Sequence, residues 1–258
     1  MRQSLPGLLH PGHLRLGRRG LGDATAPGWA VAAAGLAPVV LIGGWLIAGV
    51  LQPGSYSPLR ETMSVMAGYG GSDRWVMTSA LVAVGGCYLV TAAGLACVRR
   101  PARALLVIAG LCSFGIAASP VHPGGPGMIH LSWTVLGALI MTAWPAVAGW
   151  GLPYRPLAVG AWTRATATVG FAVMMLWILA QAQGGPYLGL AERAGSSAQA
   201  LWPFVVAVAL RRAAAREARP TSQVGETAGS GASRGTLADP DHDRRVSSGQ
   251  AQTMIMTV

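Results

Sequence analysis

The chain has 258 residues, of which 11% are charged and 52% hydrophobic, and its mean hydropathy is +0.45. An average soluble protein carries about 25% charged residues, so this composition excludes an ordinary water-facing globular domain and points to a bilayer as the solvent. The net charge of +10 comes from 19 arginines without a lysine; they flank apolar runs with no interleaved aromatic residues, which excludes a soluble nucleic-acid-binding face.

The first predicted span covers Gly28 to Leu51 and ends at the turn formers Gln52, Pro53 and Gly54. Arg2, Arg15, Arg18 and Arg19 precede it in the manner of a signal peptide, but the run is longer than the about 7 to 15 apolar residues of a cleavable signal, and no convincing small-residue cleavage site follows. It is therefore expected to remain as a membrane helix. The second span runs from Trp75 to Val98 and stops at Arg99, Arg100 and Pro101; the third runs from Ala104 to Val121, before the Pro/Gly turn 122–126. The fourth covers Met128 to Trp150, and the fifth runs from Trp162 to Gln183 with Arg164 near its start. The sixth, Gly195 to Leu210, is short against the usual spanning length of about 20 residues, and Arg211 and Arg212 close it. Trp29, Trp75, Trp150 and Trp162 stand at predicted membrane boundaries, where amphipathic aromatic rings anchor.

The fold expected is all-α: a polytopic bundle of six transmembrane helices in the cell membrane, with both termini in the cytoplasm. Cytoplasmic loops retain arginine, and this orientation puts 16 arginines inside against three outside, Arg60, Arg74 and Arg193. The domain boundaries that follow are a cytoplasmic segment 1–27, a membrane domain 28–212 and a tail 213–258. Beyond Arg219 the tail is too poor in apolar periodicity to offset ordering entropy and is expected to be disordered. Arginine to the exclusion of lysine, with no asparagine, reads as GC-rich codon usage and suggests a bacterial source.

The loop Gln52 to Arg74 carries the most distinctive sequence. A short interfacial helix is expected in it, starting near Ser57 or Pro58 and ending near Gly68. Five landmarks stand out: Ser57-Pro58-Leu59-Arg60-Glu61-Thr62-Met63-Ser64, Gly68, Asp73-Arg74-Trp75, the proline-broken turn before His130, and Gly189-Leu190-Ala191-Glu192-Arg193 followed by Trp202. In these the chain resembles the bacterial integral membrane family catalogued as domain of unknown function 998, across Gly28 to Arg212. The resemblance implies a six-helix membrane protein without an established molecular function. Family members often carry an acidic residue near the outer end of the third helix, where this chain reads Ser119-Pro120-Val121-His122.

The candidate chemistry gathers on the outer face. Glu61, Asp73 and His130 are the candidate catalytic residues, because carboxylates and an imidazole at a membrane interface can activate water or relay protons. Arg60, Ser64, Tyr69, Glu192 and Arg193 are the candidate ligand-binding residues. The plainer reading is that Arg60 with Glu61, Asp73 with Arg74, and Glu192 with Arg193 are partly solvated charges that cap helices and balance one another, with His130 capping or bonding between helices. His122 and His130 lack the i, i+4 spacing of a helical zinc site, and Cys87, Cys97 and Cys112 lie in apolar runs as small hydrophobes. No metal and no cofactor is expected, since neither a nucleotide fingerprint nor a Cys-x-x-Cys pair occurs. The lipid bilayer is the expected partner, with no nucleic acid. Span hydroxyls are expected to serve packing, and the absence of mid-span charge argues against a charge-coupled pump. Three functions stay open: a non-enzymatic protein with an outer-face mouth for a small apolar or lipid-like ligand or a membrane partner, a membrane-embedded hydrolase or lipid-modifying enzyme, and a facilitator for a neutral solute.

Overall fold

The computed structural model describes residues 25–149 and 156–217; the N-terminal segment through residue 24, the loop with Arg155, and the tail lie outside the described residues. Within them the chain forms seven α-helices and no strand. These are α1 (Gly28–Val50), α2 (Met63–Ala67), α3 (Trp75–Gly94), α4 (Arg100–Ala118), α5 (Met128–Ala148), α6 (Ala161–Gln181) and α7 (Leu188–Glu217), with a 3-10 turn at Leu157–Val159. Helices α1, α3, α4, α5 and α6 are each long and apolar enough to cross a membrane. The protein is a multi-pass membrane helical bundle.

Each long helix packs against the next, and α7 returns to α1, so the six long helices close a circuit. All loops out of α1, α4 and α6 leave from one end; those out of α3 and α5 leave from the other. At this second end arginines from one helix start bond the last carbonyls of the helix before it. Arg103 Nε donates to Ala92 O at 2.7 Å, and Arg164 Nη1 donates to Ala146 O at 2.8 Å. Helix C-termini leave four carbonyls without intrahelical partners and attract cations, so these arginines fasten α3 to α4 and α5 to α6. Trp144, fully buried, adds a third tie by donating its indole N–H to Ala102 O.

Small residues let the helices approach closely. Ala30, Ala34 and Ala37 form the fully buried stripe of α1. Gly85 of α3 and Gly110 of α4 face each other so closely that a Cβ on either would lie 2.9 Å from the other's carbonyl oxygen. Hydroxyls within the bundle bond to backbone: Thr91 to Cys87 O, Thr134 to His130 O, and Ser113 across to Leu81 O. Helix α6 is the most peripheral, with Phe171 its buried residue and Val169, Val173 and Leu176 exposed toward lipid.

Several boundaries depart from sequence expectation: α3 ends at Gly94 and not at Val98, and Arg100 and Pro101, expected as a stop between spans, open α4, where a proline is tolerated in the first turn. The helix in the first loop starts at Met63, not near Ser57 or Pro58, because residues 57–61 form a separate turn in which the Arg60 and Glu61 amides both donate to Ser57 O. Its end at Gly68 is as expected. Helix α7 is a continuous 30 residues that runs through Ser196, Ser197, Arg211 and Arg212. At 1.5 Å per residue it measures about 45 Å, so the short uncharged run Gly195 to Leu210 is the middle of a longer rod.

Candidate functional site

The first loop, Gln52 to Arg74, folds as a strap across the end of the bundle where α1, α4 and α6 finish. Gln52 closes its neck: the side-chain amide donates to Ser72 O at 2.9 Å and accepts from the Ser72 N–H at 3.1 Å. Beyond the neck, Glu61 Oε1 accepts the Ser57 N–H at 3.0 Å, stabilising the turn that its own backbone completes. Helix α2 then inserts as a plug, with Met63, Met66 and Ala67 buried in the main apolar core.

Helix α7 holds the strap through two adjacent residues of opposite charge that do different work. Arg193 is 6% exposed. Its Nη1 donates to Pro58 O, Glu61 O and Gly189 O at 2.7, 2.8 and 2.9 Å, and its Nη2 donates to the Tyr56 hydroxyl. The guanidinium also lies over the Trp45 and Tyr56 rings, whose faces attract cations. Gly189, one turn earlier on the same face, permits this reach: a Cβ there would meet Pro58 O at 2.6 Å. Arg193 Nε and the Trp45 indole N–H are buried and have no hydrogen-bond partner among the described residues. Burial raises the Tyr56 hydroxyl above its ordinary pKa, with Arg193 opposing part of the rise.

Glu192 turns to the start of α2, where Oε2 accepts the Met63 N–H at 2.6 Å. Burial pushes its carboxyl up to about 7, against the lowering effects of the Met63 amide and of Arg193. The adjacent charges Glu192 and Arg193 therefore each grip backbone of the strap, on opposite sides of Thr62.

His130, on the first turn of α5 and 3% exposed, joins α2 to the α4 terminus. Its Nδ1 lies 2.7 Å from Ser119 O and its Nε2 lies 3.0 Å from Ser64 Oγ. A carbonyl only accepts, so Nδ1 carries the proton, and in the neutral ring Nε2 is left to accept the Ser64 O–H. Ser64, His130 and Ser119 O thus form a hydroxyl, a base and an orienting acceptor in sequence, which is the arrangement that activates a serine. The backbone carbonyl of Ser119 occupies the orienting position.

The candidates thus separate into groups. Ser64 and His130 come together, as do Glu61, Glu192 and Arg193 around the strap backbone. Asp73 stands apart and exposed, in a left-handed conformation (φ 47°) that Asp tolerates better than most residues. Arg60 is exposed on the turn. Tyr69 is exposed beside His122, with ring centroids 4.8 Å apart, and Arg74 lies over both the Tyr69 and Trp75 rings. Among the described residues no group of three or more His, Cys, Asp or Glu is placed to hold a metal ion. Tyr56, Gly189 and the Ser119 carbonyl were not among the candidate site residues, although Gly189 stands in one of the sequence landmarks. Of these only Gly189 leaves a sequence signal, its i, i+4 spacing to Arg193.

No curated protein matches this chain, and no solved structure does. A protein family described as "Protein of unknown function (DUF998)" matches residues 19–209, a stretch that contains the strap, His130 and the Glu192–Arg193 pair. The match covers most of the chain, and the chain belongs to the DUF998 family.

Proposed function

We propose that the protein is a six-span cell-membrane protein with both termini in the cytoplasm, holding a small lipid-like ligand at its outer face beside the strap Gln52 to Arg74. In this reading α7 supplies the sixth span through Gly195 to Leu210, the membrane domain is 28–212, and segments 1–27 and 213–258 are cytoplasmic. Its orientation draws support from the described arginines. Arg99, Arg100, Arg103, Arg164, Arg211, Arg212 and Arg216 gather at the end opposite the strap, whereas Arg60, Arg74 and Arg193 stand at the strap end. That is the bias of cytoplasmic positive charge.

The observation that carries the ligand reading is the division of labour at the strap end. Glu61, Glu192 and Arg193 each bond to backbone of the strap, while Leu59, Tyr69, Trp75, Met128 and Ile129 are exposed at the same end of the bundle. A polar scaffold with an apolar rim suits an acyl chain lying against the bundle mouth. The carboxylate-based hydrolase reading draws less from this geometry, since Glu61 and Asp73 do not converge on His130. The facilitator reading also draws less from this geometry, because Thr91, Ser113 and Thr134 bond their hydroxyls to backbone carbonyls.

Photo-crosslinking in nanodiscs containing a diazirine phospholipid tests the reading. Adducts are expected to be enriched in the strap and the first turns of α5, above the bulk-lipid background on α6. Uniform labelling of α6, α5 and the strap would sink it.

A further inference from the structure

We infer that Ser64 is the nucleophile of an acyl-transfer site, with His130 as its general base, acting on the ester bond of an acyl lipid at the outer membrane interface; the choice of lipid rests on the ligand reading above. Three features of the structure lead there. The first is the hydrogen-bond order: Ser119 O fixes the proton on Nδ1, which leaves Nε2 to receive the Ser64 proton across 3.0 Å. Imidazole tautomer and ring orientation are what the third member of a catalytic triad supplies.

The second is preorganisation. Ser64 is in the middle of a plug pinned on three sides: Glu192 takes the Met63 N–H, His130 takes the Ser64 hydroxyl, and Val121 O takes the Tyr69 N–H at 2.9 Å. Those anchors come from α7, from α5 and from the α4–α5 turn. A five-residue helix fastened by three separate elements is a costly way to position an ordinary hydroxyl, and a direct way to hold a nucleophile in one rotamer.

The third is location. His130 is buried, whereas Ser64 is partly exposed, and Met128 and Ile129 at the start of α5 are exposed. A base shielded from water, a reachable hydroxyl and an apolar rim match a substrate whose reacting carbonyl lies at headgroup depth while its chain stays in lipid. A carbonyl dipole orients His130 but supplies no countercharge to the imidazolium formed during attack. This weaker support favours an ester, with its better leaving group, over an amide.

In the reaction, Ser64 Oγ bonds to the ester carbonyl carbon as its proton passes to His130 Nε2. The carbon–oxygen bond to the alcohol then breaks, and the departing alkoxide takes that proton. Water attacks the acyl-serine, gives its proton to Nε2, and releases the fatty acid as the proton returns to Ser64. No redox change occurs, and water is the sole co-reactant.

The test uses the full-length protein in nanodiscs with a reporter-tagged fluorophosphonate, followed by peptide mass spectrometry. An adduct on Ser64 is expected in the wild type and its loss in Ser64→Ala. His130→Asn keeps an N–H donor where Nδ1 stands but removes the base. Labelling should slow about 100-fold there, the low end of what a general base contributes, with thermal stability largely retained. No Ser64 adduct in folded wild-type protein, or equal labelling rates in His130→Asn, would overturn the assignment. Diazirine-lipid crosslinking of Ser64→Ala separates the two readings. Strap enrichment in Ser64→Ala beside a wild-type adduct on Ser64 supports a lipid ester as substrate; a wild-type adduct without strap enrichment overturns the lipid class while leaving the nucleophile intact.

Discussion

Arg193 is a buried cation whose partners are carbonyl oxygens, a phenol and two aromatic faces, contributed by α7 itself, by α1 and by the strap. A hydrogen bond to a charged group contributes about 1.5–3 kcal/mol, and three carbonyls lose their donor together when the side chain is cut back. Arg193→Ala is therefore expected to destabilise the protein by about 3 kcal/mol and to open the strap to protease. Arg193→Lys should recover less than half, because an ammonium cannot present the same planar fork; thermal unfolding and cleavage within 52–74 check both. Glu192 gives a pH signature. Its folded pKa of about 7 stands above the ordinary 4.5, so the native state holds a proton that the unfolded state has released. Stability from this group is full below 4.5 and declines as pH rises through 7. Glu192→Gln, which keeps an acceptor for Met63, should flatten the unfolding midpoint between pH 5 and 7.5; an unchanged slope would refute this source of the dependence.

At the scale of elements, the close contact of α3 and α4 depends on two glycines meeting backbone to backbone. Gly85→Ala places a methyl 2.9 Å from Gly110 O and 2.7 Å from the Phe114 ring, and overpacking of this kind costs about 1–3 kcal/mol. Its neighbour Gly86 has no described residue within 4 Å of such a Cβ, so Gly86→Ala should be neutral or gain up to about 1 kcal/mol of helix propensity. The measurement is the difference in unfolding midpoint between these two variants. A Gly85→Ala protein as stable as Gly86→Ala would remove the close approach as a source of packing energy. Helix α2 shows the opposite limit of legibility. Gly68 marks its end in the sequence, but Ser57-Pro58 looks like a helix start and instead makes an independent turn capped by Glu61. Propensity identifies permitted starts; the docking of Arg193 on Pro58 O and Glu61 O accompanies the turn that forms there.

For the molecule as a whole, the proposed topology puts the strap on one side of the membrane and the end of α7 on the other. Alkaline phosphatase fused within 52–74 is expected to be active, and fused after residue 217 inactive. Activity in both fusions would mean that α7 lies on the surface and that the bundle has five spans. The candidate site was legible as a list of residues and not as an arrangement. Glu61, Ser64, His130, Glu192 and Arg193 are recognisable as polar groups at the ends of apolar runs. Their partners are 129 to 137 residues away for α7 and 66 away for the serine–histidine pair, and no local pattern encodes such distances. The membrane as solvent and the presence of five long apolar helices were determined by the sequence alone, since run length and hydropathy are properties of a one-dimensional string and a bilayer reads them directly. Only the tertiary structure decided that Glu192 and Arg193 grip the strap and do not pair with each other, and that Ser64 meets His130, because those choices follow from how the helices pack.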